Sequence, residues 1–361
     1  MQPDGHRPVV EAVFVLDTTG SMGGLIQAAK DKIWPIASTM AAGEPAPLIR
    51  MGLVAYRDRG DEYLTRVVDL TPDLDTIHTA VSRLQANGGG DTPESVNLAL
   101  QEAVNAVSWS PDGGVYRVIF LVGDAPPHLD DQEDVKYPQT LAVARKRGIR
   151  VNAIQCGGAA DTRAVWQEIA QLGQGAFFEV ESDGATVAIA TPYDDRLARL
   201  SAELDGTRLY YGSESERAQR AERLSDSAAV RDAAPAPVLA RRATFAASAS
   251  GRAALRGDNE LVDDIASGRK RLDAIETGDL PEPLQALSRD DQRETIDALA
   301  ERRAQVVRQI EETSAARSDY LRRKVAEAGG ASSSLDRKLF DTVRQQARGI
   351  GLEYADDAAA Y

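Results

Sequence analysis

Three short stretches of this chain carry oxygen side chains of the kind that hold a hard cation. The first is Asp17-Thr18-Thr19-Gly20-Ser21, which ends the apolar run Val9–Leu16 with one carboxylate and two hydroxyls at alternate positions. The second is the glycine-rich loop Asn87-Gly88-Gly89-Gly90-Asp91-Thr92-Pro93, and the third is Asp124, at the end of the apolar run Val115–Gly123. Asp17, Thr19, Ser21, Thr92 and Asp124 together offer two carboxylates and three hydroxyls. Mg²⁺ takes oxygen donors in octahedral array and keeps several waters, so it is the first choice, with Mn²⁺ or Ca²⁺ as alternatives. Such a shell neutralises only part of the cation's charge. The ion is left able to accept an outside oxygen donor, such as an Asp or Glu of a partner protein.

These residues must be brought to one point, and the pattern between residues 9 and 182 does so. Strand-like runs at Val9–Leu16, Ile49–Arg57, Thr65–Leu70, Val115–Gly123, Ile149–Cys156 and Ala176–Val180 alternate with helical periodicity. Helices are expected over 25–40, 73–85, 93–108, 139–147 and 162–172, the first kinked or ended by Pro35. Alternation of this kind implies a doubly wound, mostly parallel six-stranded α/β sheet with helices on both faces, the 65–70 strand at an edge. In such sheets ligands bind outside the carboxyl ends of the strands, where all three oxygen-rich loops fall.

At Asp17, Thr19, Ser21, Thr92 and Asp124 the chain resembles the von Willebrand factor type A family. That family's metal-ion-dependent adhesion site reads Asp-x-Ser-x-Ser, then Thr, then Asp. The phrases Asp17–Met22 and Gly88–Val96 look closest to secreted bacterial and hemicentin-like members. Thr19 stands where serine is usual, which keeps the hydroxyl and adds a methyl group. The resemblance implies that Thr19 and Ser21 bind the metal directly and that Asp17 and Asp124 act mainly through water. Thr92 would bind directly when a ligand is engaged. It also implies a protein-binding module rather than a catalyst.

Two loops at the same end of the sheet are expected to form the partner-binding rim, through Arg57, Asp58, Arg59 and His128. The arginines would attract an acid, and the acidic run 130–134 would reject unsuitable partners. His128 is placed on the rim because the proposed metal shell is all oxygen. Catalysis is not expected. There is no Gly-x-x-x-x-Gly-Lys phosphate loop, a single metal site is visible, and the lone Cys156 has no nucleophile context. A metal-dependent hydrolase remains an alternative, as does a scaffold or assembly factor whose helical second half makes the main contacts.

The bulk numbers agree with a protein ligand. Of 361 residues 43% are hydrophobic, enough for a substantial core, and the formal net charge is −14 with a pI near 4.8. An acidic balance argues against nucleic acid and anionic membrane surfaces, which need a basic footprint. No run is long enough for a membrane span. One cysteine excludes an internal disulfide and leaves the compartment open: cytoplasmic, or periplasmic or secreted if a signal peptide has been removed.

After residue 182 no convincing strand appears. The expected organisation is a type A domain at 9–182, a helical connector at 183–224, an Ala/Ser/Pro-rich linker at 225–258 and a helical region at 259–361. Leu261–Ile275 with Leu280-Pro281 looks similar to helical extensions of bacterial family members. Within the last region Ser288 should cap a long helix reaching about Ala328, with Ile296, Leu299, Val306, Ile310 and Tyr320 near a heptad seam. Arg303, Arg317 and Lys324 fall on that seam, so the helix should pack on its own domain rather than form a free coiled coil. Gly329-Gly330 and a serine-rich turn lead to a last helix, Leu335–Arg348.

Overall fold

Val9–Asp17 (β1) is buried along nearly its whole length, as expected of a β-branched run covered on both faces. It lies at the centre of the sheet. In the computed structural model, which describes residues 7–90, 92–130, 133–180, 189–257, 259–327 and 335–354, the chain forms two units. One comprises Met1–Val187 and Gly330–Tyr361, the other Ala188–Gly329.

In the first unit β1 is followed by α1 (Gly23–Ala41), β2 (Leu48–Tyr56), β3 (Thr65–Thr71), α2 (Leu74–Ser82) and α3 (Val96–Asn105). Then come β4 (Val115–Gly123), α4 (Tyr137–Lys146), β5 (Ile149–Cys156), α5 (Ala160–Leu172) and β6 (Gln174–Val180). The sheet order is β3-β2-β1-β4-β5-β6, parallel throughout except for the antiparallel edge strand β3. The chain leaves β1 toward β2 and later returns on β1's other side as β4, so the strand order reverses there. Asp17 lies opposite Tyr56 in the register, and Gly123 ends β4 beside them. This is the crevice in which open α/β sheets bind ligands.

Alternate side chains of each strand serve opposite faces. Val13, Val15, Ile119, Leu121 and Val151 pack with Leu100 of α3, Leu141 of α4 and Trp166 of α5. Phe14 and Phe120 point the other way and stack with ring centroids 5.7 Å apart. Helix α1 runs through Pro35 without ending, burying Ile26, Trp34, Ala37 and Met40. Proline lacks a donor, but here the surrounding packing holds the turn in place. Helix α3 begins three residues later than its periodicity suggests, because Glu94 and Ser95 are drawn into the loop network described below.

The second unit is helical: α6 (Asp194–Asp205), α7 (Glu214–Ala233), α8 (Ala236–Ala247), α9 (Ala249–Arg256), α10 (Leu261–Ala266), α11 (Glu282–Gln285) and α12 (Arg289–Glu327). The linker expected at 225–258 is therefore corrected to helix. Its alanines are strong helix formers. Its prolines do not break the helices: Pro235 is the N-cap of α8, Pro237 lies in that helix's first turn, and Ser248 caps α9 by accepting from Gly251 N–H at 3.0 Å.

Ser288 accepts from Asp291 N–H at 3.2 Å and starts α12 as expected. The seam arginines of α12 are buried inside this unit. Arg303 donates to both oxygens of Glu260 (2.7 and 2.8 Å), and Arg317 to Asp194 (2.7 Å). Lys324 is exposed and pairs with Glu327. Leu261, Leu272, Ile275, Leu280, Leu284 and Ile296 form an apolar cluster around α10 and α11.

Helix α13 (Leu335–Ala347) belongs to the first unit, not to a continuous helical region at 259–361. It buries Leu339, Phe340 and Val343, and its Gln346 bonds Tyr116 of β4 (2.6 Å) and Asn152 of β5 (2.9 Å). Beyond it Glu353 pairs with Glu44 as an isolated bridge. The Gly329-Gly330 turn and its serines, the start of the expected connector at 183–188, and Asp131 and Gln132 of the expected rim lie outside the described residues.

Candidate metal centre

Asp17 is fully buried at the end of β1. Its Oδ1 accepts from the backbone N–H of Thr19 at 2.8 Å and from Thr19 Oγ1 at 2.7 Å. Thr19 Oγ1 lies 3.2 Å from Ser21 Oγ, and Ser21 is exposed, so the hydroxyl pair leads from the buried carboxylate to solvent. The glycine-rich loop is laced against this segment. Gly20 N–H donates to Gly88 O at 3.0 Å and Asn87 N–H to Thr18 O at 3.1 Å. Gly88 and Gly89 adopt φ of 76° and 70°, and a Cβ on Gly89 would lie 2.8 Å from Thr19 Cβ and 3.0 Å from Glu94 Oε1. Only glycine suits this close approach. Gly123 is equally confined, since a Cβ there would meet the Tyr56 hydroxyl at 2.5 Å and Asp17 Oδ2 at 3.1 Å.

Four buried oxygens gathered at this end of the sheet have no hydrogen-bond partner: Asp17 Oδ2, Asp124 Oδ1, Glu94 Oε2 and the Tyr56 hydroxyl. Burial pushes Asp17 up to about 7, with the Asp124 charge adding to the rise and the Thr19 bonds opposing it. Glu94 is pushed up to about 9 by burial and then by the charges of Asp17, Asp58, Asp124 and Asp61. Tyr56 is driven well above its ordinary value by burial and by the same acids. Cys156 is raised to about 12, chiefly by burial, so it is held as an unreactive thiol.

Each buried acceptor left unsatisfied costs about 1–3 kcal/mol, more if charged. A divalent cation among them would satisfy several at once, so the oxygen donors present fit a hard metal ion. Among the described residues no three His, Cys, Asp or Glu side chains lie close enough together to hold an ion by themselves. The shell would therefore rest on Asp17, Asp124 and the hydroxyls. Thr92 sits exposed on the same loop, two residues before Glu94, whose N–H donates to Pro126 O at 3.0 Å.

The residues expected on the rim divide into two groups. Arg57 and Asp58 are only 4% exposed, and thus lie beneath the rim rather than on it. Arg57 donates to Thr18 O (3.2 Å) and Gln85 O (2.9 Å) and stacks over the Tyr63 ring at 4.4 Å, fastening three loops together. Asp58 Oδ1 accepts from Ser95 Oγ at 3.1 Å and lies 2.9 Å from His128 Nε2. A charge adjacent to a loop is read from sequence as solvated, but here each charged group carries backbone or side-chain bonds that keep it inside. Arg59 alone of the four is exposed, paired with Glu133 and Asp134. Half-buried His128 braces Asp58 and donates its backbone N–H to Glu94 O at 3.3 Å. Sequence reasoning missed Glu94, Tyr56 and Asp61; the last accepts from the N–H groups of Asp58 (3.1 Å) and Gly89 (2.9 Å).

Residues 11–182 match the model of the von Willebrand factor A domain. They belong to that family. The domain is 37% identical over 120 residues to the von Willebrand factor A domain-containing protein 7 of Homo sapiens, covering 33% of this chain and 12% of that protein. It is 28% identical over 121 residues to an alpha-protein kinase of Dictyostelium discoideum, covering 33% and 19%. This chain therefore spans less than a fifth of these curated relatives. Proximal thread matrix protein 1 from the mussel byssus, solved with a zinc occupied MIDAS motif, is 18% identical, covering 50% of this chain and 43% of that one at a TM-score of 0.38. That superposition is too loose to place side chains. Von Willebrand factor A domains are in general interaction modules, and the six-stranded sheet here has the family's architecture.

Proposed function

We propose that this von Willebrand factor A domain captures an acidic side chain of a protein partner through a divalent cation, Mg²⁺ in the first instance. Asp17, Thr19, Ser21, Thr92 and Asp124 would hold the ion. The observation that carries the reading is the set of buried, partnerless oxygens, Asp17 Oδ2 and Asp124 Oδ1 foremost, behind a hydroxyl ladder that opens to solvent. A bound cation supplies positive charge there, and the chain's hydroxyls leave part of that charge for an outside carboxylate. No nucleophile–base pair accompanies the site. Cys156 is buried with a raised thiol, and His128 faces Asp58 rather than a hydroxyl nucleophile, so binding rather than turnover is the reading supported.

The test is capture of immobilised peptides that present a single Asp or Glu, with Asn or Gln controls, by the full chain. Capture should require Mg²⁺ or Mn²⁺, disappear in excess EDTA and disappear in Asp17→Ala. Equal capture of the amide controls, or full capture in EDTA, would overturn it.

A further inference from the structure

Glu94 is 3% exposed, its main chain is clamped, and one of its carboxylate oxygens has no partner. The clamp is specific. Glu94 N–H donates to Pro126 O, Glu94 O accepts from His128 N–H, and the next residue, Ser95, is fixed to Asp58. Glu94 Oε1 and Thr19 Cβ both lie within 3.0 Å of the point where a Cβ of Gly89 would stand, so the carboxylate faces the hydroxyl ladder across the glycine loop. The electrostatic influence of Glu94 reaches Tyr56, and with it the group formed by Asp17 and Asp124. A purely structural residue in this loop would not need a charge. Its backbone does the fastening, and a buried carboxylate without a partner costs stability.

We infer that Glu94 is the site's internal carboxylate: it strengthens cation binding by its negative charge and competes with the acid that a partner presents. This rests on the metal-dependent reading above and adds a regulator to it. Two carboxylates, Asp17 and Asp124, balance the two charges of the ion. A third turns the loaded centre net negative, so an arriving acid is opposed until it displaces the influence of Glu94. Such a centre selects partners whose acid is supported by further contacts and rejects small free carboxylates.

The experiment uses the full chain and two probes, Mn²⁺ alone and acetate added to the Mn²⁺-saturated protein. Calorimetry reads the metal affinity, and water-proton relaxation of bound Mn²⁺ reads acetate. Glu94→Gln keeps the shape and removes the charge. It should weaken Mn²⁺ about tenfold, the scale of one lost ionic interaction worth about 1.4 kcal/mol, and should tighten acetate at saturating Mn²⁺. Glu94→Asp keeps the charge and should lie nearer the parent in both. Unchanged Mn²⁺ affinity in Glu94→Gln overturns the inference, and so does a fall in both affinities together, which would mark a structural role. Melting in excess EDTA confirms that each variant is folded. Asp17→Asn separates the two readings: if it abolishes Mn²⁺ binding while Glu94→Gln changes nothing, the metal site stands and only the role of Glu94 falls. If the parent chain binds no Mn²⁺ at all, both fall.

Discussion

The two units bury charge in opposite ways. In the helical unit every buried acid discussed above meets an arginine: Glu260 takes both arms of Arg303, Asp194 takes Arg317, and Asp205 is shared by Arg208, Arg231 and Arg242. In the von Willebrand factor A unit, Asp17, Glu94 and Asp124 share one end of the sheet with no cation from the protein beside their partnerless oxygens. Arg57 is close in sequence, yet it is spent on the carbonyls of Thr18 and Gln85. Buried charge that serves architecture is neutralised internally, whereas buried charge kept for a ligand is left open. The contrast identifies the site from the structure without reference to any motif.

The contrast can be broken at its strongest point first. Glu260→Ala strands the Arg303 guanidinium in the interior and removes the side chain that caps α10, so urea unfolding should show a loss of about 3–5 kcal/mol. A loss below about 1 kcal/mol would mean that the pairing is not what holds this unit. The open acids should behave in the other direction. Asp17→Ala should leave the chelated protein as stable as the parent or more so, because it removes an unsatisfied carboxylate. The same change should remove a stabilisation by Mg²⁺ of about 2.7 kcal/mol, the value for an ion at a hundred times its Kd. Thermal melts with Mg²⁺ and with EDTA read both effects, and a parent chain indifferent to the ion would dissolve the distinction between the units.

A smaller effect is expected from pH. Asp17 and Glu94 are raised to about 7 and about 9 in the folded chain, above their ordinary values near 4. The folded state therefore holds protons that the unfolded state has released, and stability in EDTA should fall as pH rises from about 4 to about 9. Saturating metal should flatten that slope in urea midpoints measured across the range. The smallest change is expected at Arg59→Ala. Its pairs with Glu133 and Asp134 are on the surface, where such bridges are worth about 0–1 kcal/mol. A shift larger than that would show Arg59 to be part of the architecture after all.

Much of the first unit was legible because its strands are short apolar runs that end abruptly in polar loops. That pattern located Asp17 and Asp124 at adjacent strand ends. Glu94 was not legible, since an acid just after Thr-Pro at a helix start is ordinary and only the folded loop turns it inward. Arg57 and Asp58 look like solvent charges in a turn, and their burial depends on partners 28 or more residues away in sequence. The stretch 225–258 was misread because alanine, serine and proline suit both linkers and capped helices. The difference lies in whether the prolines fall at helix starts, as Pro235 and Pro237 do. The seam arginines of α12 were correctly read as a bar to a free coiled coil, though nothing in the sequence named Glu260 and Asp194 as their acids.

The return of α13 to the first unit has a consequence for how the protein is made. A chain is synthesised from its N-terminus, and domains generally fold as units during synthesis. Here the sheet that carries the cation site is complete at β6, but Leu339, Phe340, Val343 and Gln346 arrive only after the whole helical unit has been translated. Until then the α/β layer lacks one of its covering helices and the partner for Tyr116 and Asn152. The binding unit is thus begun first and finished last, with the helical unit as a guest inside its gene, and a fragment cut at residue 182 would reproduce the unfinished intermediate rather than the domain.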